Sequence, residues 1–186
     1  MPLIDFFAPS LARRLEARKL PAVAERQGLT FHEGERTDTI GTLDGDVRGH
    51  SITVRPDKPA IEIHYAMRVD NLSLSTWCAP RLRRPPVTFD SGVTDFDRRF
   101  RTRKAGPALA ESLLRHRAFF EHAAAFAHRW RGELAQVDFS GTQMGAWFKA
   151  RGLLAPDVCY IRADILEAML PEMLDLVDEL QEAVRP

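Results

Sequence analysis

Apolar and polar residues alternate on both sides of the segment Pro56–Pro59, and this alternation constrains the fold more than any other feature of the sequence. A turn at residues 56–59 places Val54 opposite Ile61, and the pairing then runs on to residues 50 and 65. This register brings the branched apolar side chains onto one face of two antiparallel strands, whereas a slip of one residue would mix the two faces. The pattern therefore predicts a hairpin with one buried face.

Two further turn signals extend this hairpin into a meander of strands. Asp44-Gly45 is a pair typical of two-residue hairpin turns, and it predicts a turn between strands at 39–43 and 47–55. Asp70-Asn71 predicts another turn, which places Met67 opposite Leu74. The sheet face that we expect to lie under helices then consists of Ile52, Val54, Ile61, Ile63, Tyr65, Met67 and Leu74.

Apolar residues at helical spacing occur before, between and after these strands. They predict an N-terminal helix from Leu11 to about Gln27, which Pro21 interrupts. They also predict a central helix that begins at Pro107 and runs to about Trp130, and an amphipathic C-terminal helix.

Together these elements predict a single α+β domain over residues 1–186. Its parts are an N-terminal strap and helix at 1–28, a strand meander at 29–104, a central helix at 105–131, a hairpin at 133–151 and a C-terminal helix at 163–184. The sheet is expected to be antiparallel, mostly a meander, with the N-terminal, central and C-terminal helices covering its apolar face. A chain of 186 residues is long enough to bury such a core without disulfides or metal.

The overall charge excludes a general attraction to nucleic acid or anionic lipid, because 26 basic residues balance 26 acidic ones. The charge is unevenly distributed, however. Residues 79–104 contain eight basic and three acidic side chains, and residues 157–186 contain two basic and eight acidic ones. Cys78 and Cys159 have no disulfide or metal spacing, which is typical of the cytoplasm. No apolar run approaches about 18 residues, so no transmembrane helix is predicted.

The sequence contains no pattern that indicates catalysis. His116, His122 and His128 recur every six residues on the predicted central helix, so neighbours point about 120° apart and do not form the i, i+4 pair of a helical metal site. No nucleophile elbow, phosphate-binding loop or dinucleotide-binding motif is present. We therefore predict no enzyme activity, no catalytic residue, no metal ion and no cofactor.

A cluster of arginines is the candidate partner-binding surface, with one tryptophan as an aromatic anchor. Arginine and tryptophan dominate the energetics of many interfaces, and a basic patch favours an acidic partner. The alternative is that these arginines pair with carboxylates of the C-terminal helix, namely Glu172, Asp175, Asp178 and Glu179. The proposed surface consists of Trp77, Arg81, Arg83, Arg84, Arg98, Arg99, Arg101 and Arg103.

Residues 89–103 are predicted to join the strands to the central helix. Thr94 is expected to cap a single helical turn, with Asp97 in the acidic position of a capping box. Phe96 and Phe100 are four residues apart and face the same way, and a short strand follows Phe100.

The motif Phe96-Asp97-Arg98-Arg99-Phe100, followed by a short strand, a leucine-bearing helix and the hairpin at 134–151, resembles an uncharacterised bacterial domain family. Members of that family often carry the domain on the cytoplasmic side of membrane-anchored proteins. The resemblance covers residues 89–151 and implies no catalytic residue. The order of elements is also similar to that of small bacterial secretion chaperones and related adaptor domains, which bind client segments along an exposed sheet or groove, often as dimers.

We therefore predict a non-catalytic, bacterial, cytoplasmic protein-binding module, of the adaptor or chaperone-like kind, whose partner is another protein with an acidic surface. A homodimer is a further expectation from the chaperone analogy. The alternatives are a regulatory domain that binds a small ligand, and nucleic-acid binding through the basic cluster at 81–103. An enzyme is the least favoured of these functions.

Overall fold

The computed structural model describes residues 9–34, 40–56, 59–76, 90–149 and 160–185. Within these ranges the chain forms six helices and eight strands. The helices are α1 (Pro9–Ala17), α2 (Leu20–Gln27), α3 (Thr94–Arg99), α4 (Pro107–Arg115), α5 (Arg117–Arg129) and α6 (Ala163–Ala183). The strands are β1 (Thr30–His32), β2 (Thr42–Val47), β3 (His50–Arg55), β4 (Ala60–His64), β5 (Ser73–Thr76), β6 (Phe100–Lys104), β7 (Leu134–Ser140) and β8 (Gln143–Phe148).

All eight strands belong to one antiparallel sheet with the order β1-β2-β3-β4-β8-β7-β5-β6. The predicted α+β class is therefore confirmed. Strands β1 to β4 form a meander as expected, and the hairpin of β7 and β8 lies between β4 and β5.

The register of the hairpin formed by β3 and β4 is confirmed. Val54 lies opposite Ile61, and Ile52 lies opposite Ile63. All four side chains are completely buried. Each buried side chain of this size contributes about 1.5–3 kcal/mol to the core under the sheet.

The predicted turn at Asp44-Gly45 is wrong, because both residues lie inside β2. The turn falls instead at Arg48-Gly49, where φ is 54° and 81°. Two residues with positive φ form the type of turn whose twist matches that of the flanking strands. Gly45 has a packing role, since a Cβ atom there would lie 3.3 Å from the carbonyl oxygen of Gly28 at the end of α2.

The predicted hairpin between β4 and β5 is also wrong. β4 pairs with β8, and this places Ile61 opposite Ala146 and Ile63 opposite Met144. The chain after β4 crosses the end of the inserted hairpin, where the N–H of Tyr65 donates to the carbonyl of Thr142. Met67, expected on the buried face, is consequently 41% exposed.

The N-terminal helix is divided before Pro21 as predicted, but the central helix is not continuous. It ends at Arg115 and resumes at Arg117, with His116 at φ −108° and ψ 60° between α4 and α5. The His116 N–H donates to the carbonyl of Leu113. In a regular α-helix it would donate to the carbonyl of Ser112, which here binds the His116 ring instead. The break reorients α5, in which Phe119 and Phe120 are both buried.

Helix α6 is the central element of the core and contacts α2, α4, α5 and β4. The helix is 21 residues long and is not ended by Pro171, which lies inside it. Met169, Leu170, Met173 and Val177 of this helix are completely buried. The acidic residues of α6 lie on its remaining, solvent-facing surface.

Five phenylalanines tie the second half of the chain together. Phe96 stacks on Phe100 at 4.5 Å, as their spacing predicts, and meets Phe120 edge-on at 4.8 Å. Phe119 meets Phe139 edge-on at 5.3 Å. These contacts join α3, α5, β6 and β7 into one unit.

Replacement of Phe120 by alanine is expected to lower the free energy of unfolding by about 3–5 kcal/mol, because it opens a cavity at the centre of this cluster. Replacement of Leu114 by alanine is the control, because Leu114 is 45% exposed. It should change the free energy of unfolding by less than about 0.5 kcal/mol. Urea unfolding followed by circular dichroism measures both. Equal losses in the two variants would contradict this placement of the core.

Candidate functional site

A cleft of about 380 Å³ lies between α3, the end of α5 and the start of β7. Among the described residues, four basic side chains line it, and they come from three places in the fold: Arg98 and Arg99 from α3, Arg131 from beyond α5 and Lys149 from beyond β8. The other described residues that line it are uncharged: Thr76, Ala127, Leu134, Ala135, Gln136 and Val137. We call this site the cationic cleft.

Helix α3 carries Arg98 and Arg99, and the turn before it holds that helix in place. Oδ1 of Asp97 accepts hydrogen bonds from the Ser91 N–H at 3.2 Å and from the Ser91 hydroxyl at 2.9 Å. The residue that precedes the helix is Val93, and Thr94 is the first helical residue, so the predicted capping role of Thr94 is wrong. Asp97 nevertheless closes this turn, with Ser91 as its partner.

Asp97 and Asp90 are electrostatically coupled across the turn. Burial raises the pKa of the Asp97 carboxyl, and its contact with Asp90 raises it further. The pKa of Asp90 is lowered, chiefly because the Gly92 N–H donates to it at 2.8 Å. Asp97 is therefore the carboxyl of this pair that takes up a proton first.

Strands β7 and β8 supply the opposite wall of the cleft. The pairing shifts by one residue between Leu134 and Gln136, and this bulge leaves Ala135 exposed on the cleft side. Lys149 follows β8, where its N–H donates to the carbonyl of Glu133 at 2.8 Å. Its ammonium group donates to the carbonyl of Arg131 at 2.5 Å, which brings these two basic residues together.

A histidine positions Arg99. The Arg99 guanidinium donates to Nδ1 of His128 at 2.7 Å. A guanidinium only donates, so Nδ1 is the acceptor in this contact. Arg99 is therefore held in place by a side chain without negative charge, and this contact does not compensate the charge of Arg99.

The four basic residues of the cationic cleft form no ion pair with a carboxylate among the described residues. Elsewhere in the described chain, ion pairs are common, as in Arg26 with Glu167 at 2.6 Å and Arg117 with Glu121 at 2.8 Å. The cleft is consequently a concentration of uncompensated positive charge on a protein whose net charge is zero.

The structure places only part of the predicted basic cluster in this cleft. Arg98 and Arg99 lie there, whereas Arg101 is half-buried and donates to the carbonyl of Asp97 at 3.0 Å. The side chain of Arg103 lies outside the described residues. So do four whole residues of the prediction: Trp77, Arg81, Arg83 and Arg84.

Sequence reasoning missed Arg131 and Lys149. Each stands just after an element, Arg131 beyond α5 and Lys149 beyond β8, and nothing local marks either as functional. Their position follows only from the pairing of β7 with β8 beside α3.

The predicted alternative, in which these arginines pair with the C-terminal helix, is wrong for the described members. Other side chains bind those carboxylates. Arg129 pairs with Glu172, Arg48 with Asp175 and Asp178, and His122 with Glu179. Among the described residues, the acidic helix therefore forms no ion pair with Arg98 or Arg99.

His50 is the most deeply buried histidine of the described chain, at 3% exposure, and it has a structural role. Its Nδ1 accepts the N–H of Ala66 at 3.2 Å, and its Nε2 lies 3.0 Å from Asp178. Both ring nitrogens thus hold the segment after β4 to α6. Gln181, one turn further along α6, also holds this segment to the helix. Its side-chain amide accepts from the N–H of Met67 and donates to the carbonyl of Met67, both at 2.9 Å.

Two further features bear on the class of protein. In the part of the chain that the structure describes, no three His, Cys, Asp or Glu side chains are grouped so as to hold a metal ion. None of the described helices combines the length and the apolar character needed to cross a membrane.

Comparison with protein-family models finds no match, and comparison with curated proteins finds none either. Among solved structures, the chain is similar to the crystal structure of the mycobacterial trehalose monomycolate transport factor A, TtfA. The TM-score is 0.50 at 12% sequence identity, and the match covers 92% of this chain and 96% of that chain. A similarity at this level of identity shows a shared fold.

Replacement of Asp97 by asparagine is expected to raise the free energy of unfolding at neutral pH. Asparagine keeps the acceptor oxygen for both Ser91 donors and removes a charge that burial and Asp90 disfavour. A carboxyl whose pKa is raised by folding binds its proton more tightly in the native state, so its ionised form costs stability above that pKa. The advantage of the variant should therefore shrink as the pH falls through the raised pKa of Asp97 and be lost below about 4, the ordinary pKa of an aspartate.

Urea unfolding over a pH series measures this difference. Asp95→Asn is the matched control, because Asp95 is exposed in the same helical turn and favours the helix N-terminus when ionised. That variant should be slightly destabilised at neutral pH. A loss of stability in Asp97→Asn at neutral pH would show that its charge supports the turn.

Proposed function

We propose that this protein is a non-catalytic adaptor that binds an acidic partner protein through the cationic cleft. The observation that carries the proposal is the group of four basic side chains that have no carboxylate partner in the described part of the chain. Two of them, Arg99 and Lys149, are held in place by acceptors that carry no negative charge, a ring nitrogen and a backbone carbonyl. Donors that are positioned before binding lose less conformational entropy when a partner arrives.

Electrostatics favours a ligand at this position. Like charges gathered in one concave site repel each other, and an incoming anion relieves that repulsion. A cleft lined by one sign of charge also concentrates the field and accelerates the encounter with an oppositely charged partner. The cationic cleft has both properties.

The lining of the cleft favours a protein partner over single-stranded nucleic acid. Non-specific binding of single strands combines a basic groove with aromatic side chains on which bases stack. Among the described residues that line the cleft, none is aromatic. An acidic side chain needs only the hydrogen bonds and charge that the cleft offers.

The fold supports the same role. TtfA, which has a similar fold, is named as a transport factor, and this supports an accessory binding role rather than catalysis for the present protein. The resemblance of the order of elements to secretion chaperones and adaptor domains agrees with this proposal. Binding of a client segment in the cytoplasm is the form of the role that we favour.

Reversal of the charge at two cleft positions, in the double variant Arg98→Glu/Arg131→Glu, is expected to weaken binding of the partner by about tenfold or more. Affinity purification of the tagged protein from its native cell supplies the partner, and titration calorimetry measures the affinity. Both side chains are exposed and form no described ion pair, so the variant should remain folded.

The matched control is Arg14→Glu/Arg115→Glu, which makes the same change in charge at exposed positions of α1 and α4. It should bind the partner with nearly the affinity of the original protein. If both double variants lose affinity equally, only the net charge matters and the cleft is not the site. If neither loses affinity, the partner binds elsewhere.

A further inference from the structure

We infer that the group recognised in the cationic cleft is a phosphorylated side chain of the partner, an inference that rests on the proposed binding role. The cleft offers four positive charges around one cavity of about 380 Å³. A single aspartate or glutamate would compensate one of them. A phosphoryl group carries about −1.5 to −2 charges at neutral pH and presents three strong acceptor oxygens.

The identity of the cations supports this assignment. Three of the four are arginines, whose planar guanidinium donates paired hydrogen bonds to phosphate oxygens. The fourth, Lys149, adds a compact charge that is already held by the carbonyl of Arg131. Gln136 adds a half-buried neutral amide to the lining. A tetrahedral dianion is the ligand that such a set of convergent donors matches best.

The walls of the cleft indicate that one side chain enters it. Arg98 and Arg99 lie on α3 on one side, and Arg131 and Lys149 lie beyond α5 and β8 on the other. The volume lies at the lower end of the range for sites that take a small ligand, about 300–1,000 Å³. A flat acidic surface would reach only the rim, whereas a phosphorylated side chain can enter the cavity.

The surroundings favour a phosphorylated protein over a phospholipid headgroup. Peripheral binding to a bilayer usually adds large apolar side chains that insert between the lipids. The large hydrophobic side chains that are exposed in the described chain are Leu11, Leu15, Met67 and Leu114, and none of them lines the cleft. We therefore expect a phosphorylated protein, and the test below distinguishes it from a phospholipid headgroup.

The test uses the full chain labelled with ¹⁵N and a short glycine–alanine peptide with one central phosphoserine. The matched peptides carry serine or glutamate at that position. We expect saturable shifts of the amide signals of residues 134–137 with the phosphoserine peptide. We also expect an affinity at least about tenfold higher than for the glutamate peptide, in line with the additional charge and acceptor oxygens.

Neutral variants localise the binding. Arg98→Gln/Arg131→Gln should lose at least about nine-tenths of the affinity for the phosphoserine peptide, which is the tenfold effect expected for lost charge-assisted bonds. Arg14→Gln/Arg115→Gln should retain it. Equal binding of the phosphoserine and glutamate peptides would overturn the inference. So would shifts that are unaffected by the cleft variant, or binding only to vesicles that contain phosphatidylinositol phosphates.

The outcomes separate this inference from the proposed function. If charge reversal in the cleft abolishes partner binding but the phosphoserine peptide does not bind, the adaptor role stands and the phosphate inference is wrong. If the phosphoserine peptide binds in the cleft but the partner binds the charge-reversed protein normally, the phosphate site stands and the proposed role of the cleft is wrong.

Discussion

Backbone hydrogen bonds between β4 and β8 join the two halves of this sheet, from Ala60 opposite Trp147 to His64 opposite Gln143. On one side of this seam lies the meander of β1 to β4, and on the other lie β8, β7, β5 and β6. The seam lets the apolar face continue from Ile61 to Ala146, so that one helix, α6, lies against a single core. The cationic cleft lies in the second part, where the pairing of β8 with β7 brings Lys149 beside Arg131.

Sequence reasoning succeeded where the determinants are local. The register of β3 and β4 follows from alternation within about fifteen residues, because a slip would expose the buried face. The stacking of Phe96 on Phe100 follows from helical spacing in the same way. The partner of β4 cannot be predicted from local spacing, since β5 and β8 are both strands of alternating apolar residues. Only β5 is preceded by a turn signal, and this signal favoured the wrong partner. The position of the turn between β2 and β3 was predicted wrongly for another reason. Asp44-Gly45 has the stronger turn signal, but it lies inside β2 and Gly45 packs against the end of α2, so the turn forms at Arg48-Gly49.

The candidate site shows the same division. Arg98 and Arg99 could be found because they belong to a dense run of arginines, and the run marks a basic surface. Arg131 and Lys149 could not be found, because they join that surface only through the fold.

The acidic face of α6 was correctly identified, but its partners in the described chain come from other elements, such as Arg48 and Arg129. Where charges could compensate each other within the fold they mostly do, and this makes the uncompensated cleft informative. A protein that keeps like charges together accepts a cost in stability for a binding site.

That cost can be measured without knowledge of the partner. Urea unfolding of Arg98→Gln and Arg131→Gln should be compared with that of the original protein at about 0.01 M and about 0.15 M ionic strength, since screening between exposed charges increases strongly over this range. If the cationic cleft serves binding, each neutral variant is at least as stable as the original protein at low salt, and the difference narrows as salt screens the repulsion. A loss of about 1 kcal/mol or more at low salt, the upper range for an exposed ion pair, would show that these cations stabilise the fold and would contradict the account.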